Sequence, residues 1–138
     1  MKIFDCFTFN DENLILEIRL NELDKYVDFF IIIEFGENHQ GKKKGKKIDQ
    51  ALLNKFKHKI RYFYTEKFAK NLSPWQRENY QRNSIKKGLY DVDKNDLIII
   101  SDLDEIPNPS QLKNFNKKMR YAVFKQNHYY YKFNLQSE

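Results

Sequence analysis

Three carboxylates stand within four residues, directly after a wholly apolar run. The run is Leu97–Ile100, and Asp102, Asp104 and Glu105 follow it. Such a run is typical of a central strand that is covered on both faces. Open α/β sheets bind their ligands at the carboxyl ends of such strands. Two aspartates one residue apart can present oxygens to one hard divalent cation, so the acidic turn, residues 101–105, predicts a Mg²⁺ or Mn²⁺ site.

Two metal-dependent chemistries use this arrangement. In nucleotide-sugar glycosyltransferases the aspartates hold the metal against the diphosphate, where it offsets the charge of the departing nucleotide. In haloacid-dehalogenase-type phosphatases the first aspartate is the nucleophile of a D-x-D-x-[TV] motif, which Asp102–Ile106 approaches. That motif normally opens its fold, whereas only 34 residues follow Asp104 here. The pattern therefore favours the glycosyltransferase over the phosphatase, with a merely solvated turn as the remaining alternative.

A second group of polar residues lies on a helix with a clear start signal. The segment Ser73–Gln76 offers an N-cap serine, a proline at the first helical position and a glutamine at the third. Asn79 and Arg82 share a face of this helix, and arginine suits a diphosphate through its planar fork. Glu78 and Arg82 are also spaced as an ordinary exposed ion pair. Spacing alone leaves ligand contact and ion pair equally open.

These groups need a scaffold, and the order of segments predicts α/β. We expect one domain over residues 1–138, with a largely parallel sheet flanked by helices. Parallel strands would bring Glu34, at the end of the second strand, to the same edge as the acidic turn. The predicted strands are 2–8, 29–33, 60–64, 97–101, 120–125 and 128–133, and the predicted helices are 10–27, 48–60, 73–87 and 110–116. The first helix is expected to bury Leu14, Ile18 and Leu23, the third to end at Gly88, and Trp75 to pack at the start of the third.

The chain is basic, with a formal net charge of +6, and five lysines fall within Lys42–Lys47. One interpretation is a solvated, mobile loop. The other is a binding site for polyanions. Lysines without interleaved aromatic residues are weak support for specific nucleic-acid recognition, so nucleic acid is not an expected partner.

The sequence lacks several features that would indicate a secreted or membrane-spanning protein. The single cysteine, Cys6, excludes an intramolecular disulfide and is expected to be a buried small hydrophobe. The N-terminus shows no secretory signal, and no apolar run reaches the roughly 18 residues of a membrane span. The sequence therefore predicts a cytoplasmic protein without a transmembrane segment.

Several blocks of the sequence resemble glycosyltransferase family 17. That family includes the β-1,4-mannosyl-glycoprotein 4-β-N-acetylglucosaminyltransferases and many bacterial relatives. The similarity runs through nearly the whole chain, and the blocks recur in the same order. They are Asp5-Cys6-Phe7-Thr8-Phe9, Leu16-Glu17-Ile18-Arg19-Leu20, Asn21-Glu22-Leu23, Trp75-Gln76-Arg77-Glu78-Asn79-Tyr80-Gln81-Arg82-Asn83 and Ser101-Asp102-Leu103-Asp104-Glu105-Ile106-Pro107.

The resemblance implies a GT-A-like, Rossmann-like fold that binds a nucleotide-sugar. It also implies inverting transfer of an N-acetylglucosaminyl or similar hexosyl group to a glycan acceptor. UDP-GlcNAc is the favoured donor and Mn²⁺ or Mg²⁺ the cofactor. Carried onto this chain, the family's metal ligands are Asp102 and Asp104. The residues expected at the nucleotide-sugar are Glu34, Arg77, Asn79, Arg82, Asp102 and Leu103.

The resemblance covers the N-terminal half of the family's pattern. The acceptor pocket and the general base of inverting transfer would therefore lie outside residues 1–138, or on a second chain that completes the site. No catalytic base is identified among these residues. The expected function is that of a donor-binding domain. The alternative is a non-catalytic remnant, or a module that binds anions or nucleotides through Lys42–Lys47.

Overall fold

The computed structural model describes residues 1–116 and 118–127. They fall into two compact units, one of Met1–Asp104 and one that begins at Glu105. The elements of the first unit are β1 (Ile3–Phe9), α1 (Asn13–Leu23), β2 (Phe29–Phe35), α2 (Gln50–Lys55), β3 (Ile60–Thr65), α3 (Pro74–Asn83), a 3₁₀ helix (Ser84–Gly88) and β4 (Leu97–Ile100). The organisation of residues 1–138 as a single domain stays a prediction.

The four strands form one parallel sheet in the order β3-β2-β1-β4. β1, β2 and β3 are rich in aromatic and β-branched residues, which fit a pleated and buried surface. Cys6 at the centre of β1 is paired with Ile31 of β2 and with Ile100 of β4. The predicted α/β class is confirmed, and all four strands direct their carboxyl ends to one edge.

β4 does not lie where the sequence places it. We expected a central strand covered on both faces, but among the described strands β4 pairs only with β1 and is an outer strand of the sheet. Ile99 is buried, whereas Ile98 and Ile100 are 39% and 57% exposed. Isoleucine fits an edge strand as well as a central one, because its β-branched side chain favours extended backbone.

The buried face of α1 differs from the predicted one. Leu23 is buried as expected, but Leu14 is 70% exposed and Ile18 is 42% exposed. The helix instead packs through the stripe Leu16, Arg19, Leu20 and Leu23. A pattern that counts only apolar residues misses this stripe, because one of its four members is an arginine.

The start of α3 is confirmed in detail. The Ser73 hydroxyl accepts from the Gln76 backbone N–H, and the Gln76 side chain accepts from the Ser73 backbone N–H. Trp75, however, is 68% exposed and does not pack the helix start as expected. The half-exposed Tyr80 contacts the core instead, with its ring edge-on to that of Phe35 at a centroid distance of 5.8 Å.

Three helices end earlier than the sequence predicts, and the first of them, predicted over 10–27, covers only Asn13–Leu23. α2 covers Gln50–Lys55 and begins after Asp49, whose carboxylate accepts from the Ala51 N–H. α3 gives way to the 3₁₀ helix before it reaches Gly88. The 3₁₀ helix ends at Gly88, the predicted helix stop, and a Cβ there would lie 2.4 Å from Cγ2 of Ile31. Close packing on β2 accounts for the glycine.

The core lies on both faces of the sheet, and Cys6 is fully buried in it. Burial raises the pKa of the Cys6 thiol from 9.0 to about 12, with a further contribution from the neighbouring Asp5 carboxylate. The prediction that Cys6 is a buried residue is confirmed. Within the described residues no helix is long and apolar enough to cross a membrane. The cytoplasmic location stays a prediction.

The second unit contains a 3₁₀ helix over Pro109–Asn114, close to the predicted helix 110–116. The Asn108 side chain caps it by accepting from the Ser110 N–H at 3.0 Å. The strand predicted over 120–125 is wrong, since those residues have no strand pairing. The strand predicted over 128–133 lies outside the described residues.

Candidate functional site

The acidic turn begins where β4 ends, at the carboxyl edge of the sheet. A buried arginine from α1 holds its backbone. The Arg19 guanidinium donates from Nη1 to the carbonyl oxygens of Asp102 and Leu103, at 2.7 and 3.0 Å. It also donates from Nη2 to the Ser101 hydroxyl at 2.7 Å. Three successive residues of the turn are thus fixed by one side chain.

Arg19 is in turn fixed by Asp5, in the middle of β1. Its Nε and Nη2 donate to the two carboxylate oxygens of Asp5, at 2.9 and 2.7 Å. Both side chains have no exposed surface. The guanidinium also lies 4.6 Å from the centre of the Phe7 ring. A charge buried this deeply is tolerable because its donors meet a bidentate carboxylate and the turn's oxygen atoms.

The sequence reasoning did not assign a role to Arg19 or Asp5, although both fall within the blocks that resemble family 17. Two signals could have found them. Arg19 lies at helical spacing from Leu16, Leu20 and Leu23, and Asp5 interrupts an otherwise apolar strand. A cation and an anion that both fall on buried faces must find each other or stay uncompensated.

The structure brings two of the predicted site residues, Arg82 and Asp102, together. Arg82 Nη2 donates to Asp102 Oδ1 at 2.9 Å and lies 3.5 Å from a carboxylate oxygen of Glu78. The ion pair with Glu78 that spacing allowed is therefore present beside the contact with the acidic turn. About half of the Arg82 side chain remains exposed, so these pairs contribute little to stability. They place a guanidinium next to the turn.

Leu103 and Asp104 differ in their exposure to solvent. The Leu103 side chain is buried, and its carbonyl oxygen accepts from Arg19. Asp104 is exposed. Within the part of the chain that the structure describes, its carboxylate makes no hydrogen bond or ion pair.

Arg77 and Asn79 do not meet the acidic turn through any described contact. Arg77 Nη1 donates to the carbonyl oxygen of His39 at 3.0 Å. Its guanidinium packs against Gly41, where an added Cβ would lie 3.0 Å from Nη2. Asn79 is exposed on α3. Their contact with a nucleotide-sugar stays a prediction.

Glu34 is fully buried at the end of β2. Its described partners lie on β3 and on the segment Lys42–Lys47, which we call the lysine run. It accepts from the Tyr62 hydroxyl at 2.6 Å, from the Lys47 backbone N–H at 2.6 Å and from Lys44 Nζ at 3.4 Å. Desolvation, followed by the hydrogen bond to Glu34, raises the pKa of Tyr62 well above its usual range. The proximity of Glu34 to a nucleotide stays a prediction, while its structural role is to anchor the lysine run.

The donor set of the acidic turn fits a divalent cation that is shared with a phosphate ligand. No group of three or more His, Cys, Asp or Glu side chains with metal-site geometry occurs among residues 1–116 and 118–127. Mg²⁺ is usually held by one or two carboxylates together with substrate phosphates, rather than by a cage of protein ligands. Asp102 and Asp104 supply two carboxylates at an exposed turn, which matches that requirement.

In open α/β sheets, ligands bind at the carboxyl ends of the strands, where this chain carries its acidic turn. Comparison with known proteins defines the class further. The model of glycosyltransferase family 17 matches residues 1–138, and the chain belongs to that family.

The chain is similar to the rat β-1,4-mannosyl-glycoprotein 4-β-N-acetylglucosaminyltransferase. The two are 26% identical over 116 residues, which cover 77% of this chain and 22% of the rat protein. This chain therefore spans about a fifth of the length of that curated relative. No solved structure matches the chain.

Proposed function

We propose that this chain is the donor-binding part of an inverting glycosyltransferase that holds a nucleotide-sugar at the acidic turn. Membership of family 17 makes glycosyl transfer the activity to consider, with a sugar donor and a glycan acceptor as partners. The observation that carries the proposal is the fixation of the turn by Arg19. A fully buried ion pair joins the middle of β1 to α1, and the remaining donors of its arginine hold the backbone that bears Asp102 and Asp104.

In this proposal Asp102 and Asp104 would hold Mn²⁺ or Mg²⁺ at the site where the donor's diphosphate binds. The metal, when bound, supplies positive charge that stabilises the departing nucleoside diphosphate. Arg82, which already contacts Asp102, adds a planar cation for a phosphate oxygen. The side chains of this unit thus bind and orient the leaving group.

Inverting transfer also needs an acceptor hydroxyl and a general base. The acceptor oxygen forms a bond to the anomeric carbon, the bond from that carbon to the diphosphate oxygen breaks, and the base takes the hydroxyl proton. The described residues of this chain are assigned only to the donor side of that step. The transferred sugar is N-acetylglucosaminyl or a similar hexosyl group, by analogy with the name of the rat relative.

Calorimetric titration tests the proposal. UDP-GlcNAc, a GDP-sugar and a CMP-sugar are titrated into the folded chain, each with and without Mn²⁺. We expect UDP-GlcNAc to bind, and its affinity to fall at least about tenfold when Mn²⁺ is omitted, because the negative diphosphate would then face the carboxylates of Asp102 and Asp104 without a divalent cation between them. Failure of all three nucleotide-sugars to bind a sample with native circular dichroism would contradict the donor-binding function.

A further inference from the structure

The backbone of the lysine run is held by hydrogen bonds, and one of its lysine side chains is mostly buried whereas the other four are exposed. Gly36, directly after β2, accepts from the backbone N–H groups of Lys44 and Gly45, at 2.8 and 2.9 Å. Lys44 Nζ turns inward to the Asn10 carbonyl at 2.6 Å and to Glu34, and only 13% of its side chain is exposed. The chain reverses direction just before the run, where Gly41 has a φ of +81° and its N–H donates to the Asn38 carbonyl at 2.8 Å. These contacts differ from those of a loop that is only solvated.

Four lysines of the run remain exposed while the backbone beneath them is fixed. They are Lys42, Lys43, Lys46 and Lys47. We call them the lysine rim. The Asn38 side chain accepts from the Lys42 N–H, and the Lys47 N–H donates to Glu34. A fixed backbone lowers the conformational entropy that a loop loses when it binds a ligand. The rim is therefore better suited to bind a ligand than a flexible basic segment would be.

The lysine rim lies at the same edge of the sheet as the acidic turn. α3 contacts the acidic turn through Arg82 and Asp102, and it contacts the loop just before the rim through Arg77 and His39. Those arginines are five positions apart, which is about 7.5 Å along the helix axis. α1 also contacts both, because the Asn13 side chain donates to the Lys47 carbonyl and Arg19 holds the turn. Two helices therefore tie the rim to the proposed donor site.

We propose that the lysine rim binds an anionic acceptor, a glycan that carries carboxylate or phosphate groups. This inference rests on the proposed donor-binding function, because it assigns the acceptor class for that same site. Four cations on an ordered loop attract a negatively charged glycan to the edge where the donor is held. The rim has few features of a nucleic-acid site. It contains no interleaved aromatic residue, and the neighbouring Tyr62 ring is covered by Lys46, whose Nζ lies 4.9 Å from the ring centre.

A charge-matched pair of variants tests the lysine rim. One variant carries Lys42→Gln, Lys43→Gln, Lys46→Gln and Lys47→Gln. The control carries Lys57→Gln, Lys70→Gln, Lys87→Gln and Lys94→Gln, four exposed lysines elsewhere with the same loss of net charge. Lys44 is left unchanged in both because it anchors the loop. Binding of tetragalacturonate, neutral maltotetraose and a 12-nucleotide oligouridylate is measured at 50 and 300 mM salt.

We expect the unmodified chain and the control to bind tetragalacturonate more tightly than maltotetraose and than the oligouridylate. The rim variant should lose at least about tenfold in tetragalacturonate affinity at 50 mM salt, and the difference should shrink at 300 mM salt through screening. Equal loss in the control, or no preference for the charged glycan, would overturn the proposal. Tighter binding of the oligouridylate would overturn it in favour of a nucleic-acid partner.

Donor binding separates failure of this inference from failure of the proposed function. Mn²⁺-dependent titration of UDP-GlcNAc is repeated on the rim variant. Unchanged donor affinity with lost tetragalacturonate binding supports an acceptor role for the rim. Loss of donor affinity in the rim variant would overturn the acceptor assignment and place the lysines at the donor itself. Donor binding by the unmodified chain without any glycan binding would leave the proposed function intact and reject the rim.

Discussion

Replacing Arg19 by methionine is expected to lower the free energy of unfolding by about 3–5 kcal/mol and to weaken donor binding strongly. The Asp5 carboxylate would stay fully buried without its bidentate partner, and removal of one member of a buried ion pair has a cost of that size. Native domains are stable by only about 5–15 kcal/mol, so this loss is a large fraction of the total. Urea unfolding followed by circular dichroism measures it.

A double variant separates the structural role of Arg19 from its positioning role. Asp5→Leu combined with Arg19→Met replaces the pair by apolar side chains of similar shape, which is often neutral for stability. We expect the unfolding free energy to recover, while Mn²⁺-dependent affinity for UDP-GlcNAc stays at least about tenfold below that of the unmodified chain. The reason is that the carbonyls of Asp102 and Leu103 would still lack their donor. Normal donor binding by this stable double variant would show that Arg19 does not position the turn.

Asp104→Asn is expected to reduce Mn²⁺-dependent affinity for UDP-GlcNAc by roughly 10–100-fold or more. Loss of an outer-shell partner of a bound metal already costs about that factor, and Asp104 is proposed as a direct ligand. Asparagine keeps the shape of aspartate and removes its charge. Because Asp104 is exposed, the unfolding free energy should change by less than about 0.5 kcal/mol. Calorimetry and urea unfolding on the same sample give both values.

The matched control for this change is Glu22→Gln, which removes one negative charge from an exposed position on α1. It should leave donor affinity within twofold of the unmodified chain. A similar loss in both variants would mean that affinity follows net charge instead of a ligand at the turn. Unchanged affinity in Asp104→Asn would exclude this carboxylate from the metal site.

The sequence predicted the elements that carry local signals. The capped start of α3 follows from Ser73 and Gln76, which satisfy each other within one helical turn. The acidic turn follows from its place after an apolar strand, and the parallel sheet from the alternation of strands with helices. These features depend on residues that are close in sequence. Their prediction needed no knowledge of tertiary contacts.

Features that depend on distant partners were missed. The pairing of Arg19 with Asp5 joins residues 14 apart, and the Arg19 bonds to the turn span more than 80 positions. The edge position of β4 depends on sheet order, which an apolar run of four residues does not encode. The anchoring of the lysine run also depends on a distant contact, since Glu34 meets Lys47 only after the loop folds back. In the first and third of these cases a charged side chain is buried, which a pattern of apolar residues does not reveal.

The most direct test of the donor site is to locate bound Mn²⁺ relative to the acidic turn. Substoichiometric Mn²⁺ is added to the isotope-labelled chain in the presence of UDP-GlcNAc, and paramagnetic broadening of the backbone amide signals is recorded. We predict that the signals of Ser101–Asp104 disappear first, and that Asp104→Asn abolishes this effect. Broadening centred on another part of the chain, or none at all while UDP-GlcNAc is bound, would contradict the proposal that the acidic turn holds the metal and the diphosphate.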